Sequence, residues 1–540
     1  MIYIYEKYFR RLHLLYHRLT RQRPVKASKY IPAPDAIRTK LEDNIMILKN
    51  KLGKSSDTIF REFDIGLSIK TKAFICFIDG LADKNKIDQH IVKALMVDAA
   101  AISEKEDSSQ NNLLQLAKNS LISTSEIKEA SSFDDVFYGI LSGDVVLFIH
   151  GYTTPLIISL KSWEHRAVSV PETELVVRGP REGFTETLRV NTSMLRRKIK
   201  SPNLVLESLT LGKQTHTDIC LAYIDGIANP AIVAEVHQRL SRVDVDSILE
   251  SGYIEQFIED NPLSPMSTIG NTEKADVVAA KLLEGRIAIF CDGTPFVLTI
   301  PYLFIEALQS AEDYYSRPYF VTIVRLLRYS SLIITVLAPA LYVALETFHQ
   351  ELVPTVLLIT AAATREGIPF PAFLETLLMG FIFEILREAG VRMPRLVGQA
   401  VSIVGALVLG QAAVQAGIIS APMVIITGIT SITSFIITPL LDSAVLFRLF
   451  LLILAGNFGL YGITIGVIFI LGHMCSLRSF GTPYLSPFAP TAFAELKDSF
   501  MRAPWWMMHT RPKSITWNES KRQAVSMPSP DQGKKEDNID

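Results

Sequence analysis

Residues 329–475 form a block of 147 positions with only 12 charged side chains (five Arg, seven Asp or Glu, no Lys), about 8%. The other 393 positions carry 97, about 25%. A block so long and so poor in charge is suited to lipid, and the remainder of the chain to water. Within it, 331–345 with its flanks can span a bilayer, which takes about 20 residues. Segment 352–363 is too short to span and reads as a re-entrant or interfacial piece. Segment 370–386 is apolar but holds Glu375 and Glu384, whereas 396–420 and 422–441 are spans rich in small residues. Segment 444–473 is interrupted by Arg448, Gly456, Asn457, Gly459 and Gly462, so it is either one long tilted helix or two pieces.

Three basic clusters orient these spans. Arg317, Arg325 and Arg328 precede the first; Arg387, Arg392 and Arg395 share a middle loop; Arg478, Lys497 and Arg502 follow the last. The positive-inside rule puts all three in the cytoplasm, with both termini, and requires an even number of spans. Four or six satisfy that parity. With 352–363 non-spanning and 444–473 as one helix the count is five, so one segment must depart from that reading.

The water-facing part before residue 317 repeats itself. Residues 74–82 (FICFIDGLA) resemble 220–228 (CLAYIDGIA), and 140–151 (ILSGDVVLFIHG) resemble 282–293 (LLEGRIAIFCDG), in the same order and at similar spacing. Each motif is an apolar strand leaving through a Gly turn, and the continuous apolar strands call for a sheet buried on both faces. The expected fold is an α/β cytoplasmic region of two related subdomains followed by a polytopic α-helical membrane domain. Its divisions are a basic, aromatic extension at 1–40, subdomains at 41–165 and 166–316, a helical transmembrane domain at 317–478, and a cytoplasmic tail at 479–540. The end of that tail, rich in Ser, Pro, Lys and Asp, is expected to be disordered.

A formal net charge of −1 gives no case for a nucleic-acid binder. Four cysteines without a CxxC pair argue against a disulfide framework or a zinc knuckle, and the apolar start of the chain is too short for a secretory signal. Asp79, Asp225 and Asp292 each precede Gly at a strand end, where a carboxylate can hold Mg²⁺, but Asp-Gly is also the ordinary way to leave a strand. No nucleophile–base constellation stands out, so neither an enzyme nor a cofactor is expected. The loop Arg178-Gly179-Pro180-Arg181-Glu182-Gly183 could cradle an anion with backbone N–H groups and guanidiniums, or serve as a subunit contact. Thr427, Ser431, Ser434 and Thr438 recur at helical spacing, and Ser402, Gln411 and Gln415 lie on the preceding span. Such stripes either line water or join helices, and all seven are candidate pore-lining residues. Glu375, Glu384, Asp442 and Arg448 are costly at bilayer depth and should face a pore, a partner or each other.

Six stretches, 177–186 (VRGPREGFTE), 285–295 (GRIAIFCDGTP), 309–315 (QSAEDYY), 365–373 (REGIPFPAF), 410–416 (GQAAVQA) and 480–487 (FGTPYLSP), resemble the A subunit of GerA-type spore germination receptors. The likeness covers about residues 45–500 and excludes the basic extension. It implies a multi-pass subunit of the spore inner membrane acting with a transporter-like B subunit and a lipoprotein C subunit. The complex would sense small nutrients and trigger ion release, with A subunits forming a homo-oligomeric, ligand-gated cation channel. A non-conducting scaffold that couples the B subunit to downstream machinery is the alternative. A secondary transporter would need an inverted repeat, and none is found in 329–475.

Overall fold

The structure is a computed structural model that describes residues 36–66, 71–99, 113–124, 126–162, 174, 176–393, 410–493, 495–516 and 522. Ser402, most of the basic extension and the end of the tail lie outside the described residues.

The first subdomain starts with α1 (Leu41–Leu52) and the hairpin β1 (Thr58–Ile65) and β2 (Thr71–Ile78). Then come β3 (Ile127–Glu129), α2 (Phe133–Leu141), β4 (Val145–Ile149) and β5 (Leu156–Ile158). The strands pair in the order β1-β2-β4-β5-β3, antiparallel throughout. One face of the sheet packs against α1 and α2, and the other against an irregular helical layer containing Ile87, Ile91, Leu95, Leu113 and Leu121. Phe74, Ile75 and Cys76 are therefore all buried although neighbours point to opposite faces. Ser132 starts α2 by accepting the Asp135 N–H while Asp135 accepts from Ser132, a reciprocal cap.

The second subdomain repeats this plan with α3 (Leu188–Lys198), β6 (Leu204–Leu211), β7 (Thr217–Ile224), α4 (Pro230–Leu240), α5 (Ser251–Ile258), β8 (Gly270–Thr272), α6 (Ala275–Leu283), β9 (Ile287–Cys291) and β10 (Val297–Ile300). Its strand order, β6-β7-β9-β10-β8, matches the first sheet position by position. The repeated motifs fall on β2 and β7 and on β4 and β9, and Gly80 and Gly226 leave their strands at nearly the same positive φ, +86° and +85°. Pairing is again antiparallel, so the continuous apolar strands reflect helices on both faces, not a parallel sheet.

From residue 318 the chain becomes helical: α7 (Pro318–Thr347), α8 (Thr355–Arg365), α9 (Ala372–Arg392), α10 (Ala421–Ser434) and α11 (Leu441–Ser476). Two runs among the described residues, Pro318–Thr347 and Ala421–Ser476, are long and apolar enough to cross a membrane. The second is not one rod. A 3-10 turn with non-helical Ile437 and with Pro439 separates α10 from α11, and within α11 Gly459 breaks the helix at φ +58°, ψ −139°. Beyond Gly459 the chain folds back. Ala444 and Met474 share one cluster, the Phe450 and Phe469 rings lie 5.8 Å apart, and Gly466 fits against Leu451 and Leu454. The segment 444–473, open between one helix and two from sequence, is an antiparallel helical hairpin.

Helix α7 runs beside the hairpin, with Val336, Ala340 and Ala344 against Leu451, Ala455 and Ile463. Its far end covers the hairpin tip, where a Cβ on Gly459 would lie 2.7 Å from the His349 ring. Residues 477–516 then return to the second subdomain: Phe480 joins the core under α4 and α5, and Ile515 packs with Leu303 and Ile305. The first part of the tail is thus built into the fold.

Gly459→Ala should destabilise the protein in detergent by about 1–3 kcal/mol, the cost of a side chain in that backbone region. A further His349→Ala exchange should recover part of the loss by making room. A thermal midpoint unchanged by Gly459→Ala would argue against the tight tip.

Candidate functional site

Ion pairs between segments remote in sequence hold the helices at three levels. At the base, Arg325 of α7 is fully buried. Its Nε donates to Asp313 Oδ2 at 3.0 Å, and its Nη1 donates to Asp498 Oδ1 at 2.9 Å and to the Asp498 carbonyl at 2.6 Å. Arg328 donates to the same Asp313 at 2.8 Å. Tyr314 donates to Asp498 at 2.8 Å while its ring lies under both Arg325 and Arg502. Burial, with the Asp498 carboxylate beside it, pushes the Tyr314 phenol well above its ordinary range. The stretch 309–315 therefore supplies acceptors for the guanidiniums that open α7.

In the middle, Arg448 of α11 donates to Glu384 of α9 at 2.6 Å, and Arg387 approaches the other Glu384 oxygen at 2.7 Å. Two of the costly charges thus meet each other. At the far end, Glu375 of α9 is fully buried and accepts from both the backbone N–H and the hydroxyl of Ser420. Arg365, the last residue of α8, reaches Glu375 at 3.9 Å and Glu346 of α7 at 3.4 Å. Tyr342 meets the Ser420 hydroxyl at 3.2 Å. None of the residues of α8 is buried, and this arginine ties its end to the bundle. The fourth charge, Asp442, is exposed in the first turn of α11, at the end nearer the sheets.

The hydroxyl stripe divides. Thr427, Ser431 and Ser434 are buried. Ser431 donates to the Thr427 carbonyl and Ser434 to the Ser431 carbonyl, both at 2.7 Å. On the same helix Thr433 meets Thr335 of α7 at 2.8 Å. Thr438 is exposed and bonds the Phe435 carbonyl. Gln411 and Gln415 are exposed on a short helical stretch, one turn apart.

The loop 178–183 is held from inside the chain. The buried Lys274 donates to the Pro180 carbonyl at 3.2 Å, and Glu182 pairs with Lys198 at 3.0 Å and Arg197 at 3.4 Å. Gly179, at φ +144°, lets the Tyr315 ring approach where a Cβ would stand 2.8 Å away. Arg178 and Arg181 are exposed. The three strand-end aspartates do not converge: Asp79 pairs with Lys84 and Arg189, Asp225 with Lys54, and Asp292 accepts the Leu188 N–H. Among the described residues no group of three or more His, Cys, Asp or Glu could hold a metal. Burial pushes the Cys220 and Cys291 thiols up to about 12, far from a reactive thiolate at neutral pH.

Sequence reasoning missed Arg365, Glu346, Tyr342 and Ser420 around Glu375, and Asp313 and Asp498 around Arg325. A lone carboxylate in an apolar run does announce that a partner exists, but not where along the chain it lies. Glu375→Ala should cost about 3–5 kcal/mol, because it strands the Ser420 donors and Arg365. Glu375→Gln, which keeps an acceptor, should cost less. Equal losses in thermal unfolding would mean that the carboxylate is not what holds this end together.

Comparison with known proteins now gives the architecture its kin. The family described as Bacillus/Clostridium GerA spore germination protein matches residues 46–514. Spore germination protein KA of Bacillus subtilis (strain 168) is 47% identical over 494 residues, 91% of this chain and 89% of that protein. Spore germination protein GerLA of Bacillus cereus is 39% identical over 476 residues, 88% of this chain and 95% of that one. The crystal structure of the N-terminal domain of the A subunit of the Bacillus megaterium spore germinant receptor GerK3 is similar at 39% identity. It covers 50% of this chain and 97% of its own, with a TM-score of 0.40. A match across nearly the whole length, running through the duplicated sheets and the helical region alike, means that this chain belongs to the GerA family of spore germination proteins.

Proposed function

We propose that this chain is the A subunit of a nutrient-sensing germinant receptor of the spore inner membrane, crossing the bilayer six times with both termini in the cytoplasm. The observation that carries this reading is the up-and-down order of the helices. Thr335 of α7 meets Thr433, and Tyr342 meets Ser420, so α7 and α10 are antiparallel. Thr376 touches Met423 and Phe383 meets Phe435 edge-on, so α9 and α10 are parallel. Ser420 meets Glu375, 17 residues before Arg392, so the chain has to return about 25 Å, at 1.5 Å per residue, between the end of α9 and the start of α10. With α7, α9, that return, α10 and the two arms of α11, six passes satisfy the parity that five could not.

The subunit acts with a transporter-like B subunit that holds the nutrient site and with a lipoprotein C subunit. Several copies assemble around a cation path, which Gln411 and Gln415, exposed on a single copy, would line. Uncharged amide linings suit weak, multi-site cation passage. The exposed Arg178 and Arg181 offer a contact for a neighbouring subunit.

A non-conducting scaffold is the second reading. The inward-facing hydroxyls of Thr427, Ser431 and Ser434 favour it, because they serve packing within the subunit. Ion flux separates the two. In liposomes holding the A, B and C subunits, nutrient should release K⁺, and Gln411→Lys or Gln415→Lys should sharply reduce the flux without loss of assembly. An intact complex that passes no ions under nutrient would leave the scaffold.

A further inference from the structure

The second subdomain carries exposed apolar side chains on α5 and in the loop that follows it. Tyr253 and Phe257, four residues apart, share one face of α5, Leu249 lies just ahead of the helix, and all three are exposed. Leu263, in the loop that follows, is 99% exposed. The acids of the same segment are turned inward. Glu255 accepts from Ser267 at 2.9 Å, Glu259 accepts the Thr268 N–H at 2.8 Å, and Asp260 pairs with Arg239 at 2.6 Å. Burial also raises the Glu255 carboxyl, easing its neutralisation. A helix facing water would show the opposite arrangement, with carboxylates out and rings in.

What lies beside the ridge names its occupant. The loop is bolted to both arms of the α11 hairpin: Ser264 meets His473 at 2.9 Å, and Ser443 donates to the Pro265 carbonyl at 2.5 Å. Leu263 and Pro265 share a cleft of about 530 Å³ with Leu446, Phe450, Phe469 and Ile470. Of these, Leu446, Phe450 and Phe469 are themselves exposed on the hairpin, within about three turns of its ends. Leu263 is thus continuous with the surface that would face acyl chains, whereas the start of α5 lies at the far end of the sheet, where Glu250 accepts from Thr294.

We infer that the loop carrying Leu263 forms a lipid-contacting ridge that seats the second subdomain on the bilayer surface beside the hairpin. An exposed leucine at such a boundary is buried in the acyl region. The inference rests on the proposed membrane crossing, and its test separates the two.

Full-length Cys475→Ser protein is reconstituted in vesicles containing brominated phosphatidylcholine, with a bimane label on Leu263→Cys, Phe469→Cys or Met46→Cys. Met46 is exposed on α1. The expected result is loss of fluorescence at positions 263 and 469 and none at 46. Quenching at 469 without quenching at 263 overturns the ridge while leaving the crossing intact. Quenching at neither overturns both. A label at 263 shielded from bromolipid and from aqueous iodide alike would mean that a protein covers the ridge, and would also overturn the inference.

Discussion

A buried guanidinium joins the two halves of this chain. Arg325 has left water entirely, and a charge in that position is tolerated only where its donors meet acceptors in good geometry. Asp313 lies on the segment that enters α7, and Asp498 on the segment that follows α11. Both therefore converge on one side chain, so the first and last helices are closed at the base against the second subdomain. The hydrogen bonds of Ser264 and Ser443 to and from the hairpin base act in the same direction. A tilt of α7 or of the hairpin has to carry the second subdomain with it or break this network.

The two subdomains are coupled just as closely. Arg196 and Asp57, both buried, form a two-pronged pair at 2.8 and 2.9 Å across the boundary between them. Ser55 adds a bond to the Leu204 carbonyl, and Ser56 donates its N–H to Leu206. The pair Arg189–Asp79 and the pair Lys54–Asp225 flank it, each using a strand-end aspartate of one repeat and a cation of the other. Two of the three aspartates that looked able to bind metal, Asp79 and Asp225, are thus engaged in joining the repeats. Within the helices, Glu384–Arg448 and Glu375–Arg365 act likewise. Where apolar contacts slide easily, a few directional pairs define register more than they add stability.

Much of this was legible in the residues. The paired FICFIDG and CLAYIDG strands announced a duplication, and the two sheets share one strand order. The glycines at 456, 459 and 462 marked where 444–473 could divide. Gly459 supplies a positive φ that other residues resist, which is how 444–473 becomes two arms. Antiparallel pairing was not legible, because a strand buried on both faces has the same apolar composition whichever way its neighbours run. Nor could the stripe of hydroxyls reveal its facing: a hydroxyl bonded to its own helix one turn back looks the same in sequence as one facing water.

The sequence by itself determined where the chain suits lipid, that its water-facing half is duplicated, and to which family it belongs. Each of these is a local or periodic property, written in composition and spacing. Only the tertiary structure decided which charges meet: Arg325 with Asp498 across 173 residues, Arg448 with Glu384 across 64, and the Ser420 N–H with Glu375 across 45. The physical reason is that a buried charge demands a partner of opposite sign without specifying its distance along the chain. Helix packing alone brings the two to the same depth.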